Sequence, residues 1–124
     1  MAVTGTLSIS DAAVATGVSP HTLRYYERAG LIDPVGRAGS THRRYTGAEI
    51  EWVVFLTKLR STGMPIRRMR EYDDLVRHGN GNEGERLALL EAHRTTVRAQ
   101  LEEAARNLEA IDTKIEMYKE RITS

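Results

Sequence analysis

The sequence predicts a mainly α protein with a winged helix-turn-helix head, followed by a long coiled-coil dimerisation helix. Near the N-terminus, two short helical patterns flank a glycine, and a segment rich in glycine and proline follows them. Towards the C-terminus, apolar residues recur at alternating spacings of three and four. These patterns predict a head in residues 1–78, a hinge loop in residues 79–84 and a dimerisation helix in residues 85–124.

The composition is that of a folded chain, because 40% of the 124 residues are apolar. There is no cysteine, which excludes disulfides, thiolate metal sites and thiol-based redox sensing. No apolar stretch approaches the roughly 20 residues that span a bilayer, and no signal-peptide pattern opens the chain. We therefore expect a soluble cytoplasmic protein with no membrane partner.

The basic residues are concentrated in the first part of the chain, although the formal net charge is only +1. Residues 21–70 contain ten Lys or Arg against four Asp or Glu, whereas residues 79–124 contain seven against nine. A local basic face is expected of a protein that binds a polyanion such as nucleic acid.

The first two helices have the spacing of a helix-turn-helix. Residues 7–9 predict a short strand or an extended lead-in, and SDAAVATG predicts a small helix that Ser10 caps and Gly17 ends. After Val18 comes SPHTLRYYERAGLI, in which Ser19 can cap a second helix, Pro20 suits its first turn and Gly30 is a natural end. In such a pair, the first helix braces the second against the DNA backbone.

The second helix is predicted to read DNA. Leu23 and Tyr26 fall on one side at helical spacing, and a cationic and aromatic stripe falls on the other: His21, Arg24, Tyr25 and Arg28. Arginine fits phosphate or the edge of guanine, and a tyrosine hydroxyl can reach a phosphate. This stripe, with Ser19 at the helix start, is the predicted DNA-reading surface. The alternative is an ordinary solvated helix that carries two arginines.

A small hairpin is predicted after the second helix, where Pro34, Gly36 and Gly39 separate two short segments. The second arm carries a polar and basic group that could follow the phosphates beside the groove: His42, Arg43, Arg44 and Tyr45. The hairpin would then be a wing. The alternative is an ordinary polar loop.

Two further helices complete the predicted head. Thr46 and Glu49 form a capping-box pattern that opens a helix running to about Thr62, in which Trp52 and Phe55 are expected to anchor the core. After a glycine, a proline opens the fourth helix. The junction of these helices carries a second basic corner for phosphate contacts: Lys58, Arg60, Arg67, Arg68 and Arg70.

The last segment predicts a long coiled-coil helix that starts near Asn82, where Glu85 can complete a cap. Its apolar seam runs from Leu87 to Ile122, with Arg94 as its one charged member. The predicted dimerisation residues are Leu90, Val97, Leu101, Ala104, Leu108, Ile111, Ile115 and Tyr118. A seam of this length favours a second copy of the chain as the partner, and the alternative is a helix that lies along its own domain.

Three blocks, TLRYYERAGLI, HRRYT and LRSTGMPI, occur in order before the heptad helix. With it they resemble the MerR family of bacterial transcription regulators over nearly the whole chain. The resemblance implies an antiparallel coiled-coil dimer that binds promoters with an overlong spacer, and RNA polymerase as a further partner there. It also implies that effector binding bends and untwists the DNA. It places Thr22, Arg24 and Tyr25 on the reading helix, Arg43, Arg44 and Tyr45 in the first wing, and Arg60 near the second.

The chain departs from family members that sense thiophilic metals, superoxide or electrophiles, because it has no cysteine. The drug-binding members carry a further domain after the coiled coil, whereas this sequence ends at Ser124. The effector is therefore unknown. A ligand could sit between the fourth helix, the following loop and the partner's long helix, where the candidate residues are Tyr72, Asp73, His78 and Asn80.

The sequence gives little support for an enzyme, a cofactor or a metal site. The GNGNEG segment fits a dinucleotide-binding pattern, but a helical pattern precedes it instead of a strand. The four histidines have no partners at ligand spacing, and no catalytic nucleophile is evident. We expect a homodimeric regulator, associated with the nucleoid, that reads a palindromic promoter in double-stranded DNA. The alternatives are an architectural DNA-binding protein of low sequence specificity and a coiled-coil adaptor for another protein.

Overall fold

The computed structural model describes residues 6–32 and 44–123 of the chain. Its elements in chain order are β1 (Leu7–Ser8), α1 (Ile9–Thr16), α2 (Pro20–Arg28), β2 (Arg44–Tyr45), α3 (Gly47–Ser61), α4 (Ile66–His78) and α5 (Glu83–Thr123). The chain divides between Asn80 and Gly81 into two compact units, here called the head and the α5 unit. The predicted mainly α fold, with a helix-turn-helix and a long last helix, is confirmed.

The two strands form an antiparallel sheet in which Leu7 is opposite Tyr45 and Ser8 is opposite Arg44. The predicted strand before the first helix is therefore present, and its partner is the end of the segment predicted as a wing. Most of that wing, including His42 and Arg43, lies outside the described residues.

The N-cap of α1 differs from the predicted one. Ser8 caps the helix, because its backbone is extended and its Oγ accepts a hydrogen bond from the Asp11 amide at 3.2 Å. Ser10, the predicted cap, lies inside the helix. The helix begins at Ile9, directly after Ser8, which is two residues earlier than predicted. The predicted end at Gly17 is confirmed, with a φ of 76° that favours glycine.

The end of α2 is a Schellman turn. Gly30 has a φ of 80°, and the Leu31 amide donates a hydrogen bond to the Tyr26 carbonyl at 2.9 Å. Leu31 and Tyr26 are both buried, which supplies the apolar contact that accompanies this turn. The same arrangement recurs after α3 at Gly63, which has a φ of 95°.

The starts of α3 and α4 are as predicted. The Thr46 Oγ1 accepts from the Glu49 amide at 3.1 Å, and the Glu49 carboxylate accepts from the Thr46 amide at 3.0 Å, which completes the capping box. Pro65 directly precedes α4. Helices α1, α2 and α3 enclose most of the core of the head, with α4 packed on α3. Its buried apolar residues are Ala12, Leu23, Tyr26, Leu31, Ile32, Tyr45, Val53, Leu56, Leu59, Met64 and Met69.

Helix α5 contains 41 residues, which corresponds to about 60 Å of helix. It begins at Glu83, so the last two residues of the predicted hinge are helical. Large seam side chains from Leu87 to Ile122 are between 44% and 82% exposed: Leu87, Leu101, Leu108, Ile111, Ile115, Tyr118 and Ile122. Leu90 and Val97 are half-buried. Among the helices in residues 6–32 and 44–123, none has the length and apolar character needed to cross a bilayer.

Candidate nucleic-acid interface

The candidate interface is centred on α2, whose orientation is fixed by its apolar side. Leu23 is fully buried and Tyr26 is 3% exposed. Helical geometry then turns the opposite side of α2 outwards, and the side chains of His21, Arg24, Tyr25 and Arg28 are all exposed. The predicted division of α2 into a buried side and an exposed side is therefore confirmed. That the exposed side contacts DNA stays a prediction.

The start of α2 is held by its own side chains. The Ser19 Oγ accepts from the Thr22 amide at 3.1 Å and donates to the Thr22 Oγ1 at 3.0 Å. The predicted cap is therefore confirmed, and two of the predicted DNA-contact residues form one small hydrogen-bonded group. Because α2 begins at this group, its first turn presents both polar side chains together beside the exposed stripe.

The first predicted wing is described only at its end. The Arg44 backbone lies in β2, directly after the part of the wing that falls outside the described residues. Tyr45 is fully buried, which corrects the expectation that its side chain contacts DNA. Side chains along a strand point alternately to its two faces, and in β2 the tyrosine faces the core. Tyr45 contributes to the core of the head.

The second basic corner lies at the junction of α3 and α4. Arg60 is exposed, and its Nη1 donates to the Met64 carbonyl at 3.4 Å across the turn that joins the two helices. Lys58, Arg67 and Arg70 are also exposed, so this corner of the head is positively charged. Arg68 differs from them because it forms an ion pair with Glu71 on the same helix. The corner has the charge and exposure that phosphate contacts require.

The four candidate effector residues have different environments. Tyr72 stacks on Trp52 with ring centroids 5.8 Å apart, and Asp73 is 5% exposed and accepts from the Arg77 Nε at 2.7 Å. Asp73 is therefore not open to a ligand in this structure, which corrects that part of the expectation. His78 and Asn80 are exposed.

Two residues that the sequence did not assign to the DNA interface contact the end of α2. The Trp52 Nε1 donates to the Leu31 carbonyl at 2.8 Å, and the Arg77 Nη2 donates to the Gly30 carbonyl at 3.2 Å. The Asp73–Arg77 spacing of four was visible in the sequence as a helical ion pair. The bond from Arg77 to the Gly30 carbonyl was not visible, because it joins positions 47 residues apart.

Comparison with known proteins assigns the family. Residues 7–75 match the family described as the MerR HTH family regulatory protein, and residues 50–116 match the MerR DNA-binding family. The chain belongs to the MerR family. It is a DNA-binding transcription regulator and not an enzyme.

Individual MerR relatives agree with this assignment. An uncharacterised HTH-type transcriptional regulator of Haemophilus influenzae is 32% identical over 114 residues, which is 92% of this chain and 84% of that protein. The HTH-type transcriptional regulator AdhR of Bacillus subtilis is 39% identical over 74 residues, which is 60% of this chain and 53% of AdhR. This second match therefore spans about half the length of the relative.

Two solved MerR structures are also similar. HiNmlR, a MerR family regulator that lacks the sensor domain and was crystallised bound to promoter DNA, has a TM-score of 0.84 and 31% identity, with 93% of this chain and 91% of that chain covered. A MerR family regulator from Listeria monocytogenes has a TM-score of 0.84 and 33% identity, with 91% of this chain and 86% of that chain covered.

Proposed function

We propose that the chain acts as a homodimer that reads an inverted repeat in promoter DNA through α2 and distorts that DNA to control transcription. The observation that carries this proposal is the exposed polar side of α2, which buried Leu23 and Tyr26 hold outwards. Two arginines on this side supply donors for base edges and phosphates, with a histidine and a tyrosine beside them. The proposed reading residues are Ser19, His21, Thr22, Arg24, Tyr25 and Arg28.

Phosphate contacts are proposed for two further groups of basic residues. The first wing would supply His42, Arg43 and Arg44, and the corner between α3 and α4 would supply Arg60. Such contacts set affinity and its dependence on salt, while the bases set specificity. Bending or untwisting DNA costs free energy that extra phosphate contacts offset, so basic groups at two corners suit a regulator that distorts its site.

The seam of α5 supports a second copy of the chain as the partner. Seven large seam side chains are 44% or more exposed, including Leu108 and Ile111. An apolar stripe along a helix of 41 residues is stabilised when an identical helix covers it. A two-fold dimer would present two α2 helices to two half-sites. The proposed dimer residues are Leu90, Val97, Leu101, Ala104, Leu108, Ile111, Ile115 and Tyr118.

The crystallised relative HiNmlR lacks a sensor domain and binds promoter DNA, which supports the same mode of action for this chain. RNA polymerase at the promoter and association with the nucleoid are parts of the proposal. No effector is assigned to the chain. His78 and Asn80 remain exposed candidates for ligand contact. A thermal-shift screen of small molecules and metal ions would support an effector if one ligand stabilised the wild type and lost its effect in His78→Ala.

The spacing between the two half-sites tests whether a two-fold dimer binds the DNA. The inverted repeat enriched by the wild-type chain from random DNA, here called the operator, is compared with the same duplex carrying five extra base pairs at its centre. The insertion turns one half-site by about half a helical turn, so a two-fold dimer cannot reach both. We expect one dimer on the operator and a large loss of affinity after insertion. Equal affinity for both duplexes would contradict the proposal.

A further inference from the structure

The two backbone carbonyls that follow α2 both accept hydrogen bonds from side chains of other helices. The Gly30 carbonyl accepts from the Arg77 Nη2 of α4 at 3.2 Å. The next carbonyl, that of Leu31, accepts from the Trp52 Nε1 of α3 at 2.8 Å. These bonds are additional to the Schellman turn, which uses the Glu27 and Tyr26 carbonyls. The end of α2 is therefore tied to both α3 and α4.

Both donors are themselves held by neighbouring residues of α4. The Trp52 indole stacks on the Tyr72 ring, with centroids 5.8 Å apart and planes 17° apart. The Arg77 guanidinium also donates from its Nε to the Asp73 Oδ2 at 2.7 Å, and the Asp73 side chain is 7% exposed. A guanidinium has several donors in a rigid fork, so Arg77 can bind Asp73 and Gly30 at once.

We propose that Trp52 and Arg77 are positioning residues for DNA recognition, which fix the angle at which α2 presents its exposed side. Arg28 lies in the last turn of α2, two residues before the Gly30 carbonyl, and Arg24 lies one turn earlier. Two-pronged contacts to a base edge tolerate little rotation of the helix that carries the arginine. Loss of either bond should therefore weaken binding to the operator more than binding to unrelated DNA.

Arg77 could instead contact a phosphate directly, because its side chain is 42% exposed. The two roles predict opposite effects for Asp73→Asn. If Arg77 binds phosphate, removal of the neighbouring carboxylate frees the guanidinium and lowers repulsion of DNA, so affinity rises. If Arg77 positions α2, the substitution replaces a carboxylate with a weaker neutral acceptor and loosens the anchor, so affinity for the operator falls by about tenfold.

The test uses full-length chains and equilibrium titration of the operator and of a scrambled duplex of equal length, over a range of salt concentrations. The variants are Trp52→Phe, which keeps a smaller aromatic ring but removes the N–H donor, Arg77→Gln, Arg77→Lys and Asp73→Asn. The control is Arg106→Gln, because Arg106 also pairs with a carboxylate on its own helix but lies on α5. The ratio of the two affinities does not depend on the fraction of folded protein, so a loss of stability does not imitate the expected result.

We expect each head variant to lose about tenfold on the operator and less than about twofold on scrambled DNA, with an unchanged salt slope. Arg77→Lys should lose affinity although it keeps the charge, because one ammonium cannot satisfy both partners in the same geometry. The Arg106→Gln control should match the wild type. Binding by Asp73→Asn at or above the wild-type level would overturn the proposal, as would equal losses on both duplexes.

The inference rests on sequence-specific reading by α2, and the two can fail separately. If the wild type enriches no repeat from random DNA, the proposed function fails before any variant is compared. If the wild type enriches a repeat and the variants keep its discrimination, only the positioning role fails.

Discussion

Leu7 and Tyr45 are opposite each other in the antiparallel sheet, and this pair joins the start of α1 to the start of α3. Tyr45 is fully buried, whereas Tyr25 on α2 is 41% exposed. Tyr45 therefore belongs to the core of the head, whereas Tyr25 is proposed to contact DNA. Replacing each tyrosine with alanine should therefore have different effects on the free energy of unfolding and on DNA affinity.

Tyr45→Ala is expected to lower the free energy of unfolding by about 3–5 kcal/mol, because it leaves a cavity in the core of the head. Tyr25→Ala is expected to change it by about 1 kcal/mol or less and to weaken operator binding severalfold. Denaturant unfolding at fixed chain concentration and DNA titration provide both quantities. Equal destabilisation by the two substitutions would contradict the assignment.

Gly30→Ala and Gly84→Ala are expected to change stability in opposite directions. Neither added Cβ would have an atom within 4 Å, so sterics with neighbours do not decide the outcome. Gly30 has a φ of 80°, where alanine is strained, and we expect a loss of about 1–2 kcal/mol. Gly84 lies in the first turn of α5, where alanine should gain roughly 0.5 kcal/mol. Thermal unfolding in which Gly30→Ala is neutral would contradict the turn described.

Leu108→Lys tests the α5 seam, with Thr113→Lys as its control on the same helix. Leu108 is a seam residue, whereas Thr113 falls at the heptad position farthest from the seam. A two-fold dimer loses the leucine twice and gains two charges, so we expect dimerisation to weaken by more than about 100-fold. Sedimentation should show monomers for Leu108→Lys and dimers for Thr113→Lys. A dimer that survives both substitutions would exclude the seam as the interface.

Arg60→Ala tests the corner between α3 and α4. A residue that contacts phosphate should weaken operator and scrambled DNA by similar factors, and should lower the salt slope by about one unit per bound copy. Arg106→Ala, which removes an exposed arginine from α5, should leave both affinities unchanged. A loss confined to the operator would show that Arg60 reads sequence, and an unchanged slope would remove it from the interface.

The local signals in the sequence predicted most of the fold. The Ser19 cap, the capping box of Thr46 and Glu49 and the glycine turn at Gly30 each depend on a few adjacent residues, and all are present. Helical spacing likewise predicted which side of α2 is buried. Such features require no knowledge of distant parts of the chain.

What the sequence missed at Tyr45 and Trp52 concerns contacts between distant residues. Tyr45 was assigned to DNA as part of the second arm of the predicted wing, but it lies in a strand opposite Leu7 and its side chain is buried in the core. Asp73 was predicted to contact a ligand, but its carboxylate already accepts a hydrogen bond from Arg77, four residues along the same helix. The bond from Trp52 to the Leu31 carbonyl depends on where α3 lies relative to the segment that follows α2, which no short sequence pattern reports.

Sequence reading by α2 can be measured by selecting bound duplexes from a random DNA pool. Wild type, Arg24→Ala and the Arg106→Ala control are compared at near-physiological salt. We expect the wild type and the control to enrich the same inverted repeat, and Arg24→Ala to retain DNA with a blurred preference at the positions that Arg24 contacts. A wild-type pool that retains DNA without enriching any sequence would contradict sequence reading by α2 and would favour an architectural protein.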